Sequence, residues 1–187
     1  LGAGGAGAEL TFYIEDNNSK SGLDDQINIL GYIDDSIDNW KKHKFDYPYL
    51  SDIESYNPKP NEEVLIAVMD INDRKKMIET LLRKEAKIGS FVHNSVVFPK
   101  NVDLGKGIIV FPFCIIEKFA LIGDYNLLTS YSFISHDCVV GNNNFFSTAG
   151  LAGSVKIGDN NYFGIRSAVI PGIEIGNNNV IQAGMIV

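Results

Sequence analysis

Few of the residues that announce a chemistry are present in this chain. Three histidines, two cysteines and one tryptophan occur in 187 residues. Two cysteines, Cys114 and Cys138, are too few for a disulfide framework. Free thiols in a reducing compartment are the expectation, and with them a cytoplasmic location. Cations are also scarce, with 16 Lys and Arg against 23 Asp and Glu and a net charge of −7. A nucleic-acid surface needs basic patches to displace counterions from phosphates, so nucleic acid is not an expected partner. No apolar run approaches the roughly 20 residues of a membrane span, and no secretory leader is read at the start. What remains, 45% hydrophobic and 21% charged, is ordinary for a soluble globular protein.

The chain falls into two halves with different rhythms. Residues 1–90 alternate between strand and helix patterns. The opening LGAGGAG reads as the end of a first strand entering its turn, so preceding residues are expected. The apolar run INILGYIDD (28–35) ends in two acids, as a buried parallel strand does. Residues 41–62, rich in Lys, Tyr, Asp, Pro and Asn, read as an irregular connection. EVLIAVMD (63–70) is a second strand. Met77, Ile78, Leu81 and Leu82 then mark one face of a helix. This half is expected to be a Rossmann-like α/β domain.

From residue 91 the period is six. Phe98, Leu104, Val110, Ile116, Ile122, Leu128, Ile134, Val140 and Phe146 are all apolar. One residue is dropped, and the series resumes at Leu151, Ile157, Phe163, Val169, Ile175, Ile181 and Val187. Glycine follows many of them, and GDYN, GNNN, GDNN and GNNN recur behind. A fixed short period over this length means a solenoid. Three sixes close one triangular coil, with Gly and Asn expected at corners that need positive φ. An amphipathic helix would need a period of 3.6, and a sandwich would show period-two strands. The expected fold of residues 91–187 is a left-handed parallel β-helix. It stops in mid-repeat, so a capping continuation is expected.

Three stretches carry possible chemistry. In SHDCVVG, His136 is followed directly by Asp137. A histidine has a pKa suited to proton transfer near neutrality, and a carboxylate improves it as a base. Adjacent residues on a strand point to opposite faces, which leaves open how Asp137 would reach the ring. In the first half, Gly2, Gly4 and Gly7 satisfy G-x-G-x-x-G, a loop whose backbone approaches phosphates at a helix N-terminus. Asp34 and Asp35 end the next strand, where an acid binds a ribose. His93 reads as structural, and His43 carries no signal.

The glycine loop, the strand ending in IDD and the hexapeptide series bearing HDC and AGSVKIGDNNYFGIRSAVIPGIEIG together resemble the PglD/NeuD family of bacterial sugar acyltransferases. The resemblance covers essentially the whole chain. It implies a homotrimer that uses acetyl-CoA to acetylate a nucleotide-linked amino sugar, with His136 as base and Asp137 behind it. It places Gly153 near the acetyl carbonyl, where an N–H polarises the oxygen. It places Lys156, Gly164, Ile165 and Ala183 along the coenzyme A groove. It implies that Gly5, Ala6, Gly7, Asp34 and Asp35 hold a UDP- or dTDP-sugar, with Phe145 beside the acceptor. The family often has His at Ala6, Asn at Thr129, His at Phe145 and Gly at Met69, and the coil between Val140 and Ile157 is one residue short. Three other readings stand beside an N-acetyltransferase of a 4-amino sugar. They are a sugar or sialic acid O-acetyltransferase, a non-catalytic nucleotide-binding trimer, and an NAD-dependent oxidoreductase resting on the glycine loop alone.

Overall fold

A computed structural model describes residues 1–22, 26–100 and 102–187. The chain forms two compact units, Leu1–Gly89 and Ser90–Val187.

In the first unit, helix α1 (Gly5–Lys20) follows the glycine loop, with Gly4 as N-cap. Strand β1 (Tyr32–Ile33) pairs in parallel with β2 (Tyr49–Ser51), and α2 (Ile37–His43) lies between them in sequence. Gly2 N–H donates to Ile33 O. Leu1 N donates to Leu65 O, and Leu1 O accepts from Ala67 N–H. That alternation is the pattern of a parallel pair. Val64 bridges Ile88 in parallel. The extended segments therefore lie side by side in the order third, second, first, fourth, fifth. Of the expected strand at 28–35 only the end forms, with Tyr32 and Ile33 buried and Leu30 exposed. Residues 41–62 are more ordered than their composition implied, since they hold the end of α2 and all of β2.

Helix α3 (Ile71–Arg83) is capped by Asp70, whose Oδ1 accepts from Asn72 N–H and Asp73 N–H. The buried stripe of α3 is Arg74, Ile78 and Leu81, whereas Leu82 is exposed. Arg74 takes a core position because its guanidinium donates to Ile66 O and Val68 O. Burial pulls its pKa down to about 10, since desolvation disfavours the charged form.

In the second unit three parallel sheets stack as the faces of a prism. The six-stranded sheet holds β3 (Phe91–Val92), β5 (Ile109–Val110), β8 (Leu127–Leu128), β11 (Phe145–Phe146), β14 (Tyr162–Phe163) and β17 (Val180–Ile181). The five-stranded sheet holds β4 (Asp103–Leu104), β7 (Leu121–Ile122), β10 (Val139–Val140), β13 (Lys156–Ile157) and β16 (Glu174–Ile175). The four-stranded sheet holds β6 (Ile115–Ile116), β9 (Phe133–Ile134), β12 (Gly150–Leu151) and β15 (Ala168–Val169). The second residue of each strand points inward. Val110, Ile116, Ile122, Leu128, Ile134, Val140, Phe146, Leu151, Ile157, Phe163 and Val169 form one core, the six-residue series read from the sequence. A second buried column fills the corners with small residues, including Cys114, Ala120, Cys138, Ala149 and Val155.

The short coil is absorbed between β11 and β12. Phe145 still pairs with Leu127, and Gly150 pairs with Phe133. The missing residue therefore shortens one corner and leaves every face in register.

The corners do not work as composition suggested. A residue with positive φ recurs every six positions, but most carry side chains: Phe113, Phe119, Tyr125, Tyr131, Asp137 and Asn143 among them. The glycines after the aliphatic positions are needed for a different reason. A Cβ on Gly105 would meet the Gly123 backbone at 2.4 Å, and one on Gly141 would meet Gly158 O at 2.7 Å. Successive coils touch there, backbone to backbone. Beside that column run two asparagine-rich ladders. Asn144 N–H donates to Asn126 Oδ1, Asn161 N–H to Asn144 Oδ1, and Asn179 N–H to Asn161 Oδ1. Outside them, Asp124 N–H donates to Asn142 Oδ1, Asn142 N–H to Asp159 Oδ1, and Asp159 N–H to Asn177 Oδ1.

Replacing Asn161 by Ala leaves the Asn179 N–H without its acceptor. The expected loss of stability is about 1 kcal/mol, the net worth of a hydrogen bond at a half-buried position. It is read as a lower urea midpoint with an unchanged m-value.

Candidate active site

His136 sits at the corner between β9 and β10. Its ring Nδ1 lies 2.7 Å from Asp137 Oδ2. This contact between neighbours is possible because Asp137 is one of the positive-φ residues, with φ of 58°. The corner turns the carboxylate back towards the ring, which an extended strand would not do. Both side chains are more than half exposed, so the pair faces outward. An acceptor on Nδ1 fixes the tautomer with its proton there and leaves the Nε2 lone pair able to accept a proton.

The next coil presents Gly153 at the same corner. A Cβ built on Gly153 would lie 2.8 Å from His136 Nε2 and 2.7 Å from Cε1. The imidazole thus lies over Gly153, and a side chain there would displace the ring. Ser154 N–H donates to His136 O at 3.0 Å, and Gly172 N–H donates to Gly153 O at 3.0 Å. From the preceding coil, Glu117 Oε2 accepts from Ser135 Oγ at 2.6 Å and from His136 N–H at 3.1 Å. Sequence reasoning missed Glu117. It lies 19 residues before His136, and only the 18-residue coil brings the two together.

The other expected groove residues are elsewhere. Lys156, the first residue of β13, forms an ion pair with Glu174 one coil later at 2.6 Å. Both side chains of that pair are exposed. Gly164, Ile165 and Ala183 share a different edge of the prism, between the six- and four-stranded sheets. There a Cβ on Gly164 would meet Ala183 N at 2.6 Å, and Gly184 N–H donates to Ile165 O. Ile165 is exposed. Within one chain this edge and the His136 edge do not meet. Phe145, expected beside the acceptor, is 1% exposed and stacks on Tyr162 at 5.1 Å. It is a packed residue of β11, not an open wall. Thr129 Oγ1 accepts from Thr148 N–H, tying the shortened corner to the coil before it.

In the first unit, Gly5, Ala6 and Gly7 open α1. Gly2 has φ of 100°, and a Cβ on Gly7 would lie 2.0 Å from Gly2 O. These two glycines are required for the turn to close on the helix. Asp34 lies beside the loop, with Oδ2 accepting from Ala3 N–H at 2.7 Å. Its Oδ1 accepts from Ser36 N–H and Asn39 Nδ2. Asp35 Oδ1 accepts from Ile53 N–H. Both acids thus hold the surrounding turns. His93 is buried, with Nδ1 2.7 Å from Ser95 Oγ. No group of three or more potential metal ligands occurs among the described residues. No helix among them is long and apolar enough to cross a membrane.

Comparison with known proteins agrees on the fold. PerB from Caulobacter crescentus, solved with CoA and GDP-perosamine, superposes with a TM-score of 0.84 at 22% identity over 100% of this chain and 86% of that one. This chain has the fold of sugar acetyltransferases. The acetyltransferase domain of PglB from Neisseria gonorrhoeae gives 0.77 at 17% identity, covering 100% and 88%. WeeI from Acinetobacter baumannii gives 0.71 at 23%, covering 100% and 93%. By sequence, acyl-[acyl-carrier-protein]–UDP-N-acetylglucosamine O-acyltransferases match shorter stretches. The Helicobacter pylori enzyme is 35% identical over 74 residues, and the Burkholderia orbicola enzyme 41% over 61. Those matches cover 35% and 32% of this chain, and it spans only 27% and 23% of the length of those relatives. No family model matches the chain.

The cysteines play no open part at the corner, although Cys138 follows Asp137. Burial pushes the Cys114 thiol up to about 12 and also raises that of Cys138. Their Sγ atoms donate to Thr129 O and Ala152 O. A raised thiol pKa keeps the group protonated, and the thiolate is the reactive form. The native protein at pH 8 is therefore expected to resist iodoacetamide at both cysteines. Both alkylate once urea unfolds it, as intact mass will show.

Proposed function

We propose that the chain is an acetyl-CoA-dependent N-acetyltransferase of a nucleotide-linked 4-amino sugar, acting in the cytoplasm on the way to a bacterial surface glycan. The observation that carries this reading is the His136 corner. It combines a base with a fixed tautomer, a carboxylate behind it and a bare glycine under its reactive nitrogen. His136 Nε2 accepts the proton that the acceptor amine loses as its nitrogen bonds to the acetyl carbonyl carbon. The carbon–sulfur bond breaks, and coenzyme A leaves as its thiol with a proton returned from the imidazolium. The Gly153 N–H donates to no described residue, which suits it to the developing oxyanion.

The first unit takes the nucleotide in this reading. Its order of extended segments follows the first five of a Rossmann-like sheet, with the glycine loop and the α1 N-terminus at the phosphates and Asp34 and Asp35 near the ribose. PerB was solved with a GDP-linked amino sugar, so GDP joins UDP and dTDP as candidate nucleotides. The β-helix winds left-handed, and three chains assemble so that the His136 edge of one faces the Gly164–Ile165–Ala183 edge of the next. Acetyl-CoA lies between them. The curated relatives are O-acyltransferases of a UDP-linked sugar, which supports O-acylation as the second reading.

The test is thiol release from acetyl-CoA with a panel of UDP-, dTDP- and GDP-linked 4-amino sugars and their 4-hydroxyl counterparts. Turnover with an amino sugar alone is expected, and turnover confined to the hydroxyl sugars would establish the O-acyl reading. His136→Ala should lose at least about 100-fold in kcat, in the range general bases contribute, with its assembly intact. Near-normal turnover of that variant would end the base assignment. Light scattering should return three times the chain mass, and a monomer active at the same concentration would contradict the two-walled site.

A further inference from the structure

We propose that Glu117 is a positioning residue for His136, an inference that rests on the reading of His136 as the base. The histidine is exposed, and an exposed imidazole on a corner has rotamer freedom to lose before it can accept a proton in one place. Asp137 orients the ring but is exposed itself. The fixed point lies one coil earlier. A single oxygen, Glu117 Oε2, accepts from the Ser135 hydroxyl at 2.6 Å and from the His136 backbone N–H at 3.1 Å. Ser135 is buried and Glu117 half-buried, whereas His136 is exposed. On the other side, Ser154 N–H donates to His136 O. The backbone of His136 is thus held to the coil before it and the coil after it.

Among the described residues, no other corner of this edge has the clamp. Strand register places Ser135, Ala152 and Ile170 where Glu117 stands in the coil before them. None of these is a carboxylate. Bonds from N–H and O–H donors to a carboxylate are shorter and stronger than neutral ones. The coil therefore places its strongest local restraint on the residue whose Nε2 must stay over Gly153. Glu117 does this without touching the reacting atoms.

The experiment reads the ring directly in the free protein. A nuclear Overhauser contact between the His136 Cε1 proton and the Gly153 α-protons is expected in the wild type. Glu117→Ala should lose or greatly weaken it. Glu117→Gln should keep it, because the amide oxygen still accepts both donors. With acetyl-CoA and the amino sugar that the wild type acetylates fastest, Glu117→Ala should lower kcat about 10- to 100-fold, the range a misplaced group costs. The KM for acetyl-CoA should stay within about twofold, since no binding contact is removed. Ser135→Ala removes one of the two donors and should cost less than about tenfold, which keeps the test open if Glu117→Ala does not fold. Retention of both the contact and kcat in Glu117→Ala overturns the inference. So does a Glu117→Gln variant as impaired as Glu117→Ala. A wild type that shows the contact but transfers no acetyl group would leave the clamp standing and count against the base reading instead.

Discussion

Everything in the second unit depends on the spacing between coils. Parallel strands sit about 4.8 Å apart in the hydrogen-bonding direction, and the corners must hold that spacing too. At the Gly105–Gly123–Gly141–Gly158 column the backbones approach so closely that no Cβ fits. At the positive-φ positions the chain accepts the opposite burden. Eleven non-glycine residues from Phe113 to Asn178 take a conformation that costs L-residues about 1–2 kcal/mol each. Only cooperative stacking sustains this. Each corner is repaid through inter-coil backbone bonds and, along one edge, through the paired Asn and Asp ladders.

That constraint also distributes the chemistry. A residue's place in the hexapeptide decides its edge and its direction, and a step of 18 decides what lies above and below it. His136 and Gly153 share an edge because they are one shortened coil apart. Gly164, Ile165 and Ala183 share another. No rearrangement within one chain brings the two edges together, because the core between them is filled by Ile134, Leu151, Phe146 and Phe163. A site that uses both edges therefore needs a second copy. The same rigidity makes such a site feasible, because each edge arrives already shaped.

How much of this was legible in the sequence follows from the range of each interaction. The β-helix was legible because its period is short and its core residue repeats with it. The first unit was less so. Its strands are brief, and the end of α2 and all of β2 form within residues 41–62, whose composition reads as loop. Arg74 hid in a helix face because burial of a guanidinium depends on the carbonyls of Ile66 and Val68, which no periodicity reports. At the site, His136 and Asp137 stood out as a motif, and Gly153 followed from a resemblance. Glu117 was invisible because its meaning lies one coil away. The Lys156–Glu174 pair was hidden in the same way, since Glu174 lies 18 residues on.

The dropped residue shows how the two levels fit. In sequence it falls between His136 and Gly153, and it threatened the geometry of any site that spans them. In the fold it is taken up entirely at residues 147–149, on the edge between the six- and four-stranded sheets. Phe133 still pairs with Gly150 and Val139 with Lys156, so the two strands that flank His136 lie under the two that flank Gly153. Thr129 secures the shortened corner through Thr148 N–H. The deletion reshapes the edge that carries Gly164 and Ile165 and spares the edge that carries His136. In this fold a change of length is a local event, confined to one corner, because each face must match only the face below it. Departures from the familiar pattern at Thr129 therefore alter one wall of the prism while the His136 corner keeps its form.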